Sequence, residues 1–400
     1  MGSKELACCL KLKTNPMALS CQKHLFSLDA QVHYLNGAYM SPMLQSVEAA
    51  GRRGLLGKRS PNRIAPADFF TDPERLRALF AQLIQAPAAD EVALIPSVSY
   101  GMAIIAKNLP AVKGQKIIVA EAQFPSNVYP WMTLAAEQGL ELHTVAMPAE
   151  QPGRAQRWNA ALLAAIDDRT ALVAIGHIHW ANGTIFDLKK IAEKVHHHGG
   201  LLVVDGTQSV GALPMDVQGL GLDALVCGGY KWLMGPYSLG YAWLGPAFHH
   251  GRPLEENWIN RHNSEDFTSL VDYVPDYQPG ARRFDVGERS NFILVPMAIA
   301  ALEQLLAWRP ENIQAYCREL TSAATPIWQQ QGIWSEETDY RAAHLFGLQL
   351  PVHIGAGMLQ QRLQAQNISV SVRGDFVRIS PNVYNDPADV QALTAVLTGF

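Results

Sequence analysis

From about residue 90 to residue 245 the chain repeats one alternation, a short uninterrupted apolar run followed by a segment with apolar positions at helical spacing. EVALIPSVS, QKIIVAEA, LELHTVAM, TALVAIGHI, GLLVVDG, DALVCGG and SLGYAWLG read as strands. YGMAIIAKNL, NVYPWMTLAAEQG and DLKKIAEKVHHHG read as helices, the last closed by glycine. Runs such as LVAI and LLVV do not alternate with polar residues, so both faces of these strands must be covered. That is the signature of a mainly parallel sheet with helical crossovers on each side.

After residue 290 the character changes. LVPMAIAALEQLLAWR and NIQAYCRELTSAATPIWQQQ predict two long amphipathic helices. AAHLFGLQLP, ISVSVRGDFVRIS and DPADVQALTAVLTGF then predict a small α+β unit. The expected organisation is an N-terminal segment of uncertain order at 1–30, a large α/β domain over 31–290 and a smaller C-terminal domain over 291–400. The 400 residues suffice for a large buried core, and no repeat or low-complexity linker interrupts them.

Composition removes several functional classes. A formal net charge of −4 gives no electrostatic reason to expect nucleic acid or an anionic membrane as partner. No run of roughly 18 apolar residues is present to span a bilayer, and the apolar patch near the N-terminus is too short for a secretory signal, so a cytoplasmic protein is expected. Cys8, Cys9, Cys21, Cys227 and Cys317 lack the paired spacings of a disulfide framework or zinc ribbon. The triplet His196–His198 ends a helix, where adjacent side chains diverge, and no metal site is expected from it. His177 and His179 share one face of an extended segment, which suits packing or support as well as catalysis.

Ligands of open α/β sheets sit at the carboxyl ends of strands. Those ends carry Ser97, Val98 and Ser99 at a helix start, then Phe124, Trp180, Asp205 with Gln208, and Lys231 after a glycine pair. Together they supply an amine, a carboxylate, a helix N-terminus for an anion and flat aromatic surface. Pyridoxal 5′-phosphate (PLP) has matching needs: a lysine for its aldehyde, a carboxylate for its ring nitrogen, amides for its phosphate and a stacking ring. An NAD-linked oxidoreductase would suit the alternation, but no G-x-G-x-x-G follows the first strand.

VVDGTQSVGALPMDV, with the lysine of GGYKW 26 positions after the aspartate, resembles the class V aminotransferase family. The resemblance runs from VHYLNGAYMSP to VRISPNVYNDPADV and implies a fold-type I PLP-dependent enzyme with its active site at a homodimer interface. It implies that Lys231 holds PLP as an internal aldimine and moves protons at the substrate α-carbon, while Asp205 pairs with the pyridinium nitrogen. Gln208 is implied near the phenolic oxygen, Ser97, Val98 and Ser99 around the phosphate, and Tyr230 reaching towards it. Phe124 takes the place of the ring-stacking side chain, where the cysteine desulfurases carry histidine. Trp180 stands where many members have asparagine, which implies a more apolar pocket. Arg378 is implied for the substrate α-carboxylate, with Arg373 second, and Asn36 lines the substrate pocket. In GERSN, residues 287–291, Ser290 or Asn291 would reach the partner's cofactor.

Desulfuration in this family uses a cysteine just before the second C-terminal arginine, and residues 318–400 contain none. GGYKWLMGP and FPSNVYPW look nearer the epimerase and kynureninase branch than the desulfurases. Transamination, C–S or C–C lysis and epimerisation stay open. A scaffold that has lost its chemistry is disfavoured because lysine, aspartate and arginine are all present.

Overall fold

The computed structural model describes residues 19–149, 151–351, 354–373 and 376–400. The expected terminal segment therefore lies largely outside the described residues, as do Gly374 and Asp375 of ISVSVRGDFVRIS.

The elements follow the chain as β1 (His33–Tyr34), α1 (Gln45–Gly57), α2 (Asp68–Leu83), β2 (Val92–Ile95), α3 (Val98–Asn108), β3 (Lys116–Ala120), α4 (Tyr129–Gln138), β4 (Glu141–Val145), α5 (Arg154–Ala165), β5 (Thr170–Gly176), α6 (Leu188–His197), β6 (Leu201–Asp205), β7 (Ala224–Gly228) and β8 (Gly240–Leu244). Beyond them come α7 (Leu294–Trp308), α8 (Pro310–Ser322), α9 (Ala324–Gln330), β9 (Phe346–Gln349), α10 (Ala356–Ala365), β10 (Ile368–Ser369), β11 (Ser371–Arg373), β12 (Phe376–Ile379) and α11 (Pro387–Thr398).

Seven strands form the central sheet in the order β2-β8-β7-β6-β5-β3-β4. Neighbours are parallel except β8, which runs antiparallel to both β2 and β7. Successive residues of the inner strands enter different cores. Ile118, Val173, Val204 and Leu225 face one cluster with Trp158 and Ile191 from the helices. Ile117, Leu172, Val203 and Val226 face the other with Ile104 and Trp131. This two-sided burial is why their sequence shows no alternation. It is the fold-type I α/β arrangement expected.

Two expectations change in detail. The strand read over EVALIPSVS ends at Ile95, because Ser97 turns the chain and caps α3 with its side chain. The single helix read over NIQAYCRELTSAATPIWQQQ is two, α8 and α9, meeting at Ala323.

A smaller sheet, β11-β12-β9, joins α9, α10 and α11 around a third core. The N-terminal segment docks there: β1 pairs with β10, and Leu35 is buried in that core. Helix α7 packs instead on α1 and α2 beside the large sheet.

Candidate active site

The carboxyl ends of β2, β3, β5, β6 and β7 open into one cavity of about 320 Å³. One wall is the start of α3. Ser97 is extended, its Oγ accepts from Tyr100 N (3.2 Å), and it lies 2.9 Å from Ser99 Oγ. The first-turn amides of Val98 and Ser99 have no carbonyl within the helix to bond and, with the helix dipole, favour an anion. Gly101 lets this helix approach the sheet, since a Cβ there would come within 2.6 Å of Val226 Cγ1.

Across the cavity Asp205 ends β6. Its Oδ1 accepts from Thr207 N (2.9 Å), and burial raises the carboxyl pKa against the pull of Thr207 and Lys231. A carboxylate so placed gains most from a cationic partner such as a protonated ring nitrogen.

Lys231 follows β7 by way of Gly228 and Gly229, where the chain runs so close to β8 that a Cβ on Gly229 would meet Leu239 O at 2.7 Å. The lysine is 7% exposed, and among the described residues nothing accepts a hydrogen bond from Nζ. Nζ lies 5.5 Å from the Phe124 ring centroid and 5.6 Å from that of Tyr230. Desolvation, then Arg378, with a smaller push from Arg373, brings its pKa down to about 8, while Asp205 acts in the opposite sense. A buried amine with a lowered pKa and no acceptor among the described residues is chemically suited to act as a nucleophile.

Phe124 and Trp180 meet edge to face with centroids 5.6 Å apart. The Trp180 indole N–H donates to Ala122 O (2.7 Å), so it offers no polar contact to the cavity. Ala122 sits at φ 51° and its carbonyl also accepts from His179 Nε2 (3.1 Å), which lines the cavity. Gln208 has Oε1 fixed by Trp232 Nε1 (2.8 Å) and Nε2 donating to Ala38 O (3.2 Å), which leaves one amide hydrogen for the cavity. Tyr230 lines the wall beside Lys231.

A second cavity, about 310 Å³, shares Phe124, Trp180, Tyr230, Lys231 and Tyr237 with the first, so the lysine stands where the two join. Arg373 and Arg378 line it. Arg378 is buried, donates to Trp180 O (2.8 Å) and reaches Ser371 Oγ (3.4 Å). Burial and the neighbouring Arg373 move its guanidinium down to about 10, still cationic at neutral pH.

The structure thus brings Ser97, Val98, Ser99, Phe124, Trp180, Asp205, Gln208, Tyr230 and Lys231 to one cavity and the two arginines to its neighbour. Asn36 lines neither. It is buried, with Oδ1 accepting from Ser371 Oγ (2.8 Å), so it reaches the pocket only through the serine that also contacts Arg378. Ser290 Oγ is bound to Phe69 O, and Asn291 Oδ1 accepts from Ile293 N and Leu294 N at the start of α7. Neither lines these cavities.

Sequence reasoning missed Thr207, which holds Asp205 and whose Oγ1 accepts from Gly228 N (3.3 Å). The Asp-Gly-Thr turn was the signal that could have flagged it. His177 does not line the cavity, its Nδ1 has no partner, and burial lowers its pKa to about 4. His196 pairs with Asp223 and His198 with Asp168, so the histidine triplet diverges. Cys227 is fully buried, with its thiol pushed well up.

Amine, carboxylate, helix terminus and ring fit PLP. Comparison with known proteins agrees. Residues 65–257 match the family described as aminotransferase class-V. The chain is 27% identical over 333 residues to the uncharacterized aminotransferase YcbU of Bacillus subtilis (strain 168), covering 80% of this chain and 81% of that protein. It is 30% identical over 226 residues to a cysteine desulfurase of Yersinia pseudotuberculosis (serotype O:1b, strain IP 31758), a match spanning 56% of this chain and 50% of the desulfurase. In fold it is similar to the cystine C-S lyase C-DES, solved with its reaction product cysteine persulfide, at a TM-score of 0.81 and 19% identity over 93% of this chain and 98% of that one. A site built for PLP and a matching family profile agree: this is a PLP-dependent enzyme, and its residues 65–257 match the class V aminotransferase family.

Proposed function

We propose that the enzyme acts at the α-carbon of an amino acid or a substrate derived from one, in the manner of an aminotransferase. The observation that carries this reading is Lys231, a buried amine with no acceptor among the described residues. It joins a cavity holding Asp205 and the α3 terminus to one holding Arg378.

PLP bound here supplies an electrophilic aldehyde and an electron sink. The chain's own residues do the rest. First-turn amides of α3 with Ser97 and Ser99 would hold the phosphate, Asp205 would keep the ring nitrogen protonated, and Phe124 would supply flat apolar surface for the ring. Arg378 binds the α-carboxylate through parallel N–H groups and so sets which bond at the α-carbon faces the cofactor. Lys231 would be the base that takes the α-proton and the acid that returns it.

A C–S lyase reading is second, favoured by the fold of the cystine lyase. Among the described residues, Cys21, Cys227 and Cys317 line neither cavity, which suits a lyase that releases its sulfur product rather than storing it on the chain. Product analysis separates the two. Transamination yields a 2-oxo acid and requires a second oxo acid for turnover, whereas lysis releases ammonia without one.

A homodimer is proposed on the rim of the second cavity, where Tyr39 is 58%, Met40 41% and Tyr237 64% exposed. Large apolar side chains at a site mouth suit cover by a second copy. Sedimentation equilibrium at micromolar protein tests this.

A further inference from the structure

Strands β11 and β12 form a tight antiparallel pair with Ser371 opposite Arg378 and Arg373 opposite Phe376. Residues 371 and 373 project from the same face of β11, and Arg378 shares that face across the ladder. Arg373 and Arg378 are therefore diagonal neighbours with like charge, an arrangement that destabilises a sheet unless something neutralises it.

Nothing among the described residues does. Neither guanidinium forms an ion pair with any described residue. Both Nε atoms are buried without a hydrogen-bond partner. Asp205 is the only carboxylate among the described residues lining the two joined cavities, and it belongs to the first. Arg373 has one backbone contact, Val372 O at 3.0 Å, and lies 5.6 Å from the centroid of the Trp180 ring, so its plane is held beside the cavity with donors to spare.

One α-carboxylate accounts for one of these groups. We infer that the substrate is an amino acid carrying a second anion on its side chain, a carboxylate or sulfinate, with Arg378 taking the α-carboxylate and Arg373 the side-chain group. This rests on the amino-acid reading above and specifies its substrate class.

Two measurements test it, one of which does not involve the cofactor. On the apoprotein, thermal unfolding is followed with succinate and glutarate against propionate and butyrate. The dianions are expected to raise the midpoint of the wild type more than the monoanions, and Arg373→Gln to abolish that difference. On the holoenzyme, the visible band is titrated with L-aspartate and L-glutamate against L-asparagine, L-glutamine and L-alanine. Acidic amino acids are expected to bind roughly 10- to 100-fold tighter than their amides, the discrimination of a charge-assisted pair. Arg373→Gln should erase the gap while leaving L-alanine within about threefold, and Arg378→Gln should weaken all of them.

Equal affinity for acid and amide, or a uniform loss in Arg373→Gln, would overturn the inference, since Arg373 would then serve the α-carboxylate or the fold. If no amino acid shifts the band, the amino-acid reading itself fails, and a dianion effect on the apoprotein would survive it.

Discussion

The lowered pKa of Lys231 makes a quantitative claim about reactivity. At about 8 rather than the ordinary 10.5, its cause is burial, aided by Arg378 and Arg373 and opposed by Asp205. At pH 7 such an amine is about one-tenth free base, against about three parts in ten thousand for an ordinary lysine, a gain of about 300-fold in nucleophile. The assay uses apoprotein and pyridoxal, which lacks the phosphate and so reports the amine alone. The rate at which the yellow band appears is measured from pH 6 to 10. It should rise tenfold per pH unit and level near pH 8. Arg378→Gln should move that break upward and Asp205→Asn downward. A rate still climbing towards pH 10.5 would refute the reasoning. The same shift has a stability counterpart. Between about pH 8 and 10.5 the unfolded chain holds a proton that the native lysine has lost, so native stability rises with pH through that window. Below it, the buried ammonium costs the apoprotein up to roughly 3 kcal/mol, which Lys231→Met should recover at pH 7 and not at pH 11.

Burial raises the Asp205 pKa despite the pull of Thr207 and Lys231, so its charge is under-compensated in the apoprotein. Asp205→Asn should therefore unfold at a higher temperature than wild type as apoprotein, yet gain less from added PLP, both read by calorimetry. Trp232→Phe removes the donor to Gln208 Oε1 and leaves a buried carbonyl unmet, at about 1–3 kcal/mol in urea unfolding. Because it also frees the Gln208 amide to rotate, the pH dependence of the holoenzyme band should shift. Asp285 is buried between Arg77 and Arg289 and accepts from Leu94 N (2.7 Å), tying β2 to the loop before α7. Asp285→Ala leaves two buried guanidiniums with only the more distant Glu74 carboxylate and should lose about 3–5 kcal/mol in denaturant titration.

What was legible in the sequence follows from what leaves a local trace. Strands buried on both faces must be apolar throughout, so their positions and the residues ending them could be read directly. The antiparallel run of β8 left no such trace, since a strand covered on both faces has one composition in either direction. Helix α1 was hidden by Gly51, Gly54 and Gly57, poor helix formers held by packing rather than propensity. A Cβ on Gly54 would come within 2.2 Å of Phe292 O and one on Gly51 within 2.7 Å of Met297 Sδ, so two of these glycines permit the close approach of α7. That Lys231 and Asp205 would share a cavity was legible because each follows a strand whose carboxyl end could be read from its apolar run. Asn36 was placed in the pocket by resemblance and sits behind it. Which way a side chain turns depends on Ser371 and Arg378, more than 330 residues away. The pairing of Arg373 with Arg378 on one face depended on strand register, which spacing alone left open.

The most direct test is to reduce the purified enzyme with borohydride in the presence of PLP and map the labelled peptide by mass spectrometry. The wild type should show a yellow band that reduction bleaches, with the pyridoxyl mass on Lys231 alone. Lys231→Ala should carry no label there. A protein that stays colourless with added PLP, or a label settled on another lysine, would contradict the assignment of this site.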